Sequence, residues 1–345
     1  MKNKTVFVGL SGGVDSSVAA ALLIERGFKV VGVHLKCWNI DGCADQDAED
    51  ARRAAEILKI PFYVFDFEKE YKAKVVEYMV SGYKRGITPN PDVMCNHEIK
   101  FGLFFKKAMQ LGADFVATGH YARTKAGKLF SGVDKNKDQS YFLWMLSKKE
   151  LDRTIFPVGE LEKSEVRKIA QKFNLENADK KDSQGVCFLG EIKLPEFLGK
   201  FIEMREGEII SESGAVVGKH KGVEQFTIGQ RRGLGASGLK KPHFVAEKNI
   251  KTGKVLIVPE GDERLYKKTI ELTDVNILDN SLKFPQKVSA RIRYRQKLER
   301  ATLRKEKDRL ILDFDQPQKF VASGQSAVFY DLKRKELFGG GVIKG

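Results

Sequence analysis

Cysteine is scarce in this chain. Its four cysteines, Cys37, Cys43, Cys95 and Cys187, form no Cys-x-x-Cys pair, so they are expected to be reduced thiols, and those that matter to be catalytic rather than structural. His34, Cys37 and Cys43 are irregularly spaced and have no fourth partner, which makes them a poor zinc set. No metal site of the protein's own is expected. No apolar run approaches the ~20 residues of a membrane-spanning helix. The Met-Lys-Asn-Lys start followed by apolar residues imitates a secretion signal, but Gly12, Gly13 and Asp15 interrupt it, so a cytoplasmic protein without a membrane partner is expected. None of the Gly-Lys pairs (at Gly127, Gly199, Gly218 and Gly253) is followed by Ser or Thr, which excludes a Walker phosphate loop. Internal repeats and low-complexity linkers are absent too. Acid is in short supply, 46 Asp and Glu against 61 Lys and Arg, a net charge of +15. That balance points to an anionic partner larger than a nucleotide, most simply nucleic acid, the alternative being a merely basic soluble surface.

What is present begins with Val6-Phe7-Val8-Gly9-Leu10-Ser11-Gly12-Gly13-Val14-Asp15-Ser16-Ser17. An apolar β-branched run turns through paired glycines into hydroxyl residues and then into the helical run Val18–Ile24. The first amides of a helix lack internal partners and lie at the positive end of its dipole, so strand, glycine turn and helix in succession make a phosphate site. Gly12 and Gly13 admit the anion to the backbone, and Ser11, Ser16 and Ser17 add hydroxyl donors. The Ser-Gly-Gly-x-Asp-Ser element resembles the pyrophosphatase-type loop of enzymes that split ATP into AMP and pyrophosphate. The G-x-G-x-x-G at Gly233, Gly235 and Gly238 has no clear strand before it and reads as a loop.

At 345 residues the chain divides into two or three domains. Strands Thr5–Leu10, Lys29–Leu35, Phe62–Phe65 and Asp114–Thr118 alternate with helices Val14–Arg26, Asp45–Leu58, Glu68–Lys84 and Ile99–Leu111, the pattern of a doubly wound parallel sheet. The loops after Leu10, Leu35 and Thr118 are therefore expected to share one mouth beyond the carboxyl ends of the strands. Helices are expected at Tyr141–Leu151, Lys163–Phe173 and Leu194–Phe201. From about Gly207 the strands shorten and glycines recur, predicting two small β-rich modules, the second with barrel spacing. The boundaries follow as 1–205, 206–268 and 269–345.

Two cysteines lie in distinctive loops. The prolines of Gly86–Asn96 oppose a helix before Cys95, and Asn96 is expected to cap a helix starting near His97, placing the Cys95 thiol at a positive helix end that favours thiolate. Cys187 follows Lys180 and Lys181, though Val186-Cys187-Phe188 equally suits a small buried hydrophobe. Between Lys283 and Arg309 eleven Lys and Arg face three acids, and Arg291, Arg293 and Arg295 alternate along an expected strand, which would gather them on one face and put Tyr294 on the other.

These motifs occur in one order: the glycine loop, Thr-Pro-Asn-Pro-Asp-x-x-Cys-Asn (88–96), Ala-Thr-Gly-His-Tyr (117–121), Lys-Asp-Gln-Ser-Tyr-Phe-Leu (137–143), Phe-Pro-Val-Gly (156–159), Asp-Ser-x-Gly-x-Cys-Phe (182–188), Gly-Gln-Arg-Arg-Gly-Leu-Gly (229–235) and Ser-Gly-Gln-Ser-Ala-Val-Phe-Tyr (323–330). From Gly9 to Gly341 the chain resembles the bacterial tRNA-specific 2-thiouridylase family. The resemblance implies a pyrophosphatase-loop domain (adenine nucleotide alpha hydrolase-like) followed by two β-rich modules, the last a β-barrel that binds tRNA. It implies ATP-dependent adenylation and 2-thiolation of uridine 34 in tRNAs for Lys, Glu and Gln, with release of AMP. Gly9, Leu10, Ser11, Gly12, Gly13, Val14, Asp15, Ser16, Leu35 and Gly119 would then hold ATP, with Asp15 near Mg²⁺. Cys187 would carry a persulfide and Cys95 would act as nucleophile, the two ending as a transient disulfide. Asn90, Pro91 and Asp92 would meet the flipped-out base. His120, Lys137, Asp138, Gln139, Arg293, Tyr294, Arg295 and Gln325 would touch tRNA. A cysteine desulfurase or sulfur-relay protein would supply sulfur to a protein expected to be monomeric. The alternative is another ATP pyrophosphatase of this loop type acting on RNA or a small molecule, which would need neither cysteine.

Overall fold

The structure, a computed structural model, describes residues 3–38, 43–180, 193–237, 239, 241–307 and 309–345. The run Val6-Phe7-Val8 has exposures of 0%, 6% and 0%, so both its faces are covered, as only a central parallel strand requires. It belongs to β1 (Thr5–Gly9), which pairs in parallel with β2 (Lys29–Lys36) and β4 (Phe115–Ala117). β3 (Phe62–Asp66) extends the sheet beyond β2, and β7 (Thr154–Ile155) beyond β4, giving the order β3-β2-β1-β4-β7. The chain moves outward from β1 to β3 and then returns to the other side of β1, so the topological switch point lies between β1 and β4. Helices α1 (Val14–Glu25) and α2 (Cys43–Ile57) make the first two crossovers.

A continuous helical run, Pro91–Met94, Cys95–Phe104 and Phe105–Gln110, leads into β4, its middle part in π-type hydrogen bonding. As a crossover helix it runs against the strands, which brings Asn90–Cys95 over their carboxyl edge. The run starts six residues earlier than the expected position near His97. Pro91 occupies its first turn, where a missing amide hydrogen costs nothing, and Asn90 rather than Asn96 is the cap, its side chain accepting from the Val93 amide at 3.3 Å. The helix expected at Tyr141–Leu151 is instead a short 3₁₀ turn, Ser140–Leu143, and a separate helix, Lys148–Asp152, opened by a Ser147/Glu150 capping box.

A second sheet, of order β10-β11-β8-β9, comprises β8 (Gly207–Ile210), β9 (Val216–His220), β10 (His243–Asn249) and β11 (Lys254–Pro259). The last module runs from β12 (Tyr266–Ile277) through β13 (Gln286–Arg291), β14 (Glu299–Glu306), β15 (Arg309–Lys319) and β16 (Ser326–Tyr330) to β17 (Glu336–Ile343). Because β12 pairs with both β15 and β17, these six antiparallel strands close into a barrel without open edges.

The barrel is joined covalently at one point and physically at several. A hairpin of the first domain, β5 (Ala122–Lys125) and β6 (Lys128–Ser131), adds to β17 through Glu336↔Phe130 and Leu337↔Leu129. Trp144 is fully buried between the two units, its Nε1 donating to Ser326 Oγ at 3.0 Å. A Cβ on Gly340 would stand 2.7 Å from its ring, so glycine is what lets the strand pass there. Beside it, Arg291 Nη2 donates to Asp138 Oδ2 at 2.7 Å and to Tyr330 OH at 3.2 Å, with both charged groups under 10% exposed.

The arginine-bearing strand ends at Arg291. Arg293, Tyr294 and Arg295 lie in the following turn, and Arg295 has a positive φ of 66°. The expected face of three aligned arginines is therefore absent: Arg291 is inside, Arg293 half-buried, and Arg295 exposed.

Candidate functional site

The glycine loop follows β1 at the switch point. Gly13 is extended and caps α1, whose first turn carries Val14, Asp15 and Ser16. Gly12 has φ +75°, and a Cβ there would stand 2.5 Å from the Asp47 carbonyl of α2, so both conformation and space demand glycine. The hydroxyls shape the turn: the Ser11 amide donates to Ser16 Oγ at 3.2 Å, while Ser16 Oγ and Ser17 Oγ donate to the Gly13 carbonyl. Asn177 braces the turn from outside, its Nδ2 donating to the Gly12 carbonyl at 3.1 Å and to Ser17 Oγ at 2.9 Å.

Gly119, just beyond β4, abuts this helix start. A Cβ on it would lie 2.6 Å from the Ser16 amide nitrogen and 2.7 Å from the Asp15 carbonyl carbon. Leu35 is half-buried near the end of β2, and the neighbouring His34 Nδ1 is 3.0 Å from the Leu10 carbonyl. The ends of β1, β2 and β4 thus share one mouth, as the strand–helix alternation predicts. An anion fits this cradle: the glycines leave it open, and the α1 dipole and orphan amides supply positive potential. Asp15 provides one carboxylate, which suits Mg²⁺ carried on phosphate oxygens rather than a protein cage. Among the described residues no cluster of three His, Cys, Asp or Glu forms a separate metal site.

The segment before Cys95 is fixed by all three units. The Thr88 amide donates to the Ser323 carbonyl at 2.8 Å, Gln325 Nε2 donates to the Thr88 and Pro89 carbonyls at 3.0 and 3.2 Å, and Thr88 Oγ1 reaches Thr227 Oγ1 at 3.5 Å. Gln325, expected at tRNA, here straps the barrel to the segment before Cys95. Asn90 and Pro91 are buried, while Asp92 is half-buried, and desolvation raises its carboxyl pKa against the opposing pull of Lys100.

Cys95 is inside the helix rather than ahead of it. Its amide donates to the Pro91 and Asp92 carbonyls, and it is 8% exposed in an apolar cluster with Ile99, Phe104 and Phe197. The expectation of a thiol just ahead of a helix starting near His97 is corrected accordingly: Cys95 lies one turn inside a helical run that opens at Pro91. Cys187 lies outside the described residues. Lys180, shortly before it, pairs with Asp47 at 2.8 Å and Asp50 at 2.6 Å of α2, and Phe197, after it, packs in the cluster that holds Cys95.

The expected tRNA contacts divide by burial. Lys137 and Gln139 are half-buried, with Gln139 Oε1 accepting from the Tyr121 amide. Asp138 is not at the surface: besides Arg291 it accepts from the Gly132 and Ser140 amides, both at 3.1 Å, so its oxygens are engaged internally. Arg293 donates to the Ile228 carbonyl, and the Tyr294 ring packs 4.4 Å from that of Phe142. His120 is 8% exposed between Phe101 and Phe156, its Nδ1 2.7 Å from Thr118 Oγ1.

Burial drives the His120 pKa well below its ordinary value, helped by the nearby Lys100 charge. A folded-state pKa below the unfolded one means that the unfolded chain takes up the proton first. Stability from this group is therefore complete above about pH 6.5 and lost as pH falls below it, on the order of 1.4 kcal/mol per pH unit at most. Imidazole NMR checks this: His120 should take up its proton at lower pH than an exposed histidine of the same protein, and titration at or above the exposed one would contradict its placement.

Sequence reasoning missed Lys163 and Asn177. Neither belongs to a recognisable motif, and only the fold brings them to the glycine loop. It also missed Lys248, whose ammonium is pushed down to about 8 by burial, against the opposing charge of Glu224, and donates to the Phe226 carbonyl.

Comparison with known proteins agrees with this arrangement across the chain. Family models described as a tRNA methyl transferase HUP domain, a tRNA methyl transferase PRC-barrel domain and an aminomethyltransferase β-barrel domain match residues 4–191, 195–259 and 267–343. The tRNA-specific 2-thiouridylase MnmA of Shouchella clausii is 46% identical, covering 98% of this chain and 96% of the relative. Its counterpart in Francisella tularensis subsp. novicida is 45% identical over 99% of this chain and 100% of the relative, and that of Karelsulcia muelleri 43% identical over 99% of each. With the glycine loop, the parallel sheet and the closed barrel in place, the chain belongs to the tRNA-specific 2-thiouridylase family.

Proposed function

We propose that this member of a sulfurtransferase family replaces the C2 oxygen of uridine 34, the wobble position of tRNAs for Lys, Glu and Gln, with sulfur at the expense of ATP. The observation that carries this reading is the convergence at one sheet edge of the glycine loop and the Asn90–Cys95 helix start, with the barrel strapped onto the latter by Gln325. Gly9 to Ser16, Leu35 and Gly119 hold the ATP, with Asp15 beside Mg²⁺. Activation of the C2 oxygen is needed because an amide-like oxygen is a poor leaving group and AMP a good one. Asn90, Pro91 and Asp92 receive the extruded uracil.

Cys187 carries the incoming sulfur as a persulfide, delivered by a desulfurase or relay protein. Its terminal sulfur bonds to C2 as AMP leaves. Cys95 thiolate then attacks the Cys187 sulfur, freeing the 2-thio product and leaving a Cys95–Cys187 disulfide for an external reductant; alternatively Cys95 first releases hydrosulfide. The disulfide requires the two Cα atoms to come within about 7 Å. The domain division 1–205, 206–268 and 269–345 gives the first unit the chemistry, and the first and last units share the tRNA. Lys137, Gln139, Arg293, Tyr294 and Arg295 supply tRNA contacts, and His120, Asp138 and Gln325 hold those contacts in position from beneath. A soluble cytoplasmic monomer suits such a substrate, and no described helix is long and apolar enough to cross a membrane.

The test uses unmodified tRNA, Mg-ATP and a persulfide donor. Cys187→Ser should form no 2-thiouridine, and Cys95→Ser should lose it too while retaining a persulfide on Cys187, visible by intact-protein mass spectrometry. Thiolation by Cys187→Ser would overturn the assignment of the sulfur carrier. AMP release without thiolation by the unaltered protein would favour an adenylating enzyme with another acceptor.

A further inference from the structure

The phosphate loop contains no cation of its own. A Walker loop supplies a lysine within its glycine run, whereas Ser11–Ser17 carries only the acid Asp15. The fold provides the missing charge from far downstream. Lys163 Nζ lies 2.7 Å from Asp15 Oδ1 and 2.9 Å from Oδ2. Tyr121 OH donates to the same Oδ1 at 2.7 Å, and the ammonium stands 5.9 Å from the Tyr121 ring centroid. The side chain of Lys163 is 13% exposed and that of Asp15 31%, so the pair is sheltered on the lysine side and open on the carboxylate side.

Its position is electrostatically unusual. Lys163 is the first residue of the helix Lys163–Lys172, where a cation opposes the helix dipole instead of completing it. Asp15 sits in the first turn of α1, so the Lys163 ammonium is drawn to the positive end of that helix through this carboxylate. The Lys163 amide is itself satisfied by Asp134 Oδ2 at 3.0 Å, a residue whose Oδ1 also accepts from the Lys137 amide. The ammonium is thus tied to the phosphate loop through Asp15, beside amides that a polyphosphate would also meet.

We propose that Lys163 is the pyrophosphate-binding cation of this site, held ready by Asp15 and Tyr121 and shared with the β- and γ-phosphoryl oxygens when Mg-ATP binds; the proposal rests on the phosphate-loop reading above. During adenylation the acceptor oxygen supplies the electron pair of the new bond to Pα. The bond from Pα to its bridging oxygen breaks, and that pair leaves with pyrophosphate. Lys163 gives up no proton in this step and serves only to stabilise the charge gathering on the leaving group, an electrostatic contribution of the kind that preorganised donors make. Lys163 is in this sense a catalytic residue for the ATP half of the reaction, independent of which acceptor follows.

Calorimetric titration with inorganic pyrophosphate and, separately, with AMP, both with Mg²⁺ and the full chain, tests it. Lys163→Met should weaken pyrophosphate by roughly ten- to hundredfold, the worth of a charged hydrogen bond, and leave AMP within about twofold. Lys163→Arg should recover part of the loss. Equal loss of both ligands would show that the residue only shapes the loop, and loss of neither would show that it faces no phosphate; either overturns the proposal. Failure of the unaltered protein to bind either ligand would overturn the phosphate-loop reading along with it, whereas binding without tRNA thiolation would leave Lys163 standing and remove only the acceptor.

Discussion

Gly119→Val should abolish ATP-dependent AMP formation, by at least about a hundredfold, while leaving a folded protein. A Cβ at this position meets only backbone, the Ser16 nitrogen at 2.6 Å and the Asp15 carbonyl carbon and oxygen at 2.7 and 3.0 Å. No rotamer change relieves such a contact, so the first turn of α1 must shift away from the end of β4. Displacements near 1 Å in a positioned site cost on the order of a hundredfold in rate, and here the displaced atoms are the amides that would hold phosphate. Gly199→Ala is the control: nothing lies within 4 Å of its added methyl, and its backbone is not in the left-handed region. Nucleotide binding and AMP release measure the outcome. Unchanged nucleotide affinity in Gly119→Val would mean that the nucleotide is not held at the start of α1.

Asp138→Leu should produce the largest loss of stability of any single change discussed here, about 3–5 kcal/mol. The substitution leaves the Arg291 guanidinium buried beside Tyr330 without its carboxylate, and the Gly132 and Ser140 amides without an acceptor. The double variant Asp138→Leu/Arg291→Met removes the stranded charge as well and should regain much of the loss, since a buried pair seldom outperforms well-packed apolar groups of similar size. Denaturant midpoints of the four proteins give the coupling. Additive losses would mean that the two side chains do not act as a pair. Because Asp138 belongs to the first domain and Arg291 to the barrel, the barrel should also become more accessible to protease in the single variant than in the double one.

Local patterns announced the parallel sheet and the glycine loop because both are built from neighbouring residues: apolar runs, a turn and helical periodicity. The barrel was legible as short strands, but its closure was not, since β12 meets β17 across most of the module. The addition of β5 and β6 to β17 depends on pairings about 200 residues apart that leave no local trace. The start of the Cys95 helix is hard to see in the sequence because proline opposes a helix interior, whereas Pro91 in a first turn is a favoured helix opener. Alternation suggested one face for Arg291, Arg293 and Arg295, but the strand stops at Arg291 and the positive φ of Arg295 belongs to a turn. The resemblance implies a tRNA contact for Asp138, whereas the arrival of Arg291 from the barrel makes a buried carboxylate tolerable there, a pairing with no local trace in the sequence. Lys163 and Asn177 carry no signature at all, being ordinary helix and turn residues that the fold delivers to the phosphate loop.

The central claim is that one protein couples cleavage of ATP at the glycine loop to sulfur insertion at a wobble uridine. The most direct measurement is the ratio of AMP released to 2-thiouridine formed at position 34, by nucleoside mass spectrometry, in unmodified tRNA-Glu given Mg-ATP and a persulfide donor. One AMP per 2-thiouridine, with none of either when tRNA is omitted, is the predicted result. AMP formed at the same rate without 2-thiouridine, or thiolation that proceeds without ATP, would contradict the account.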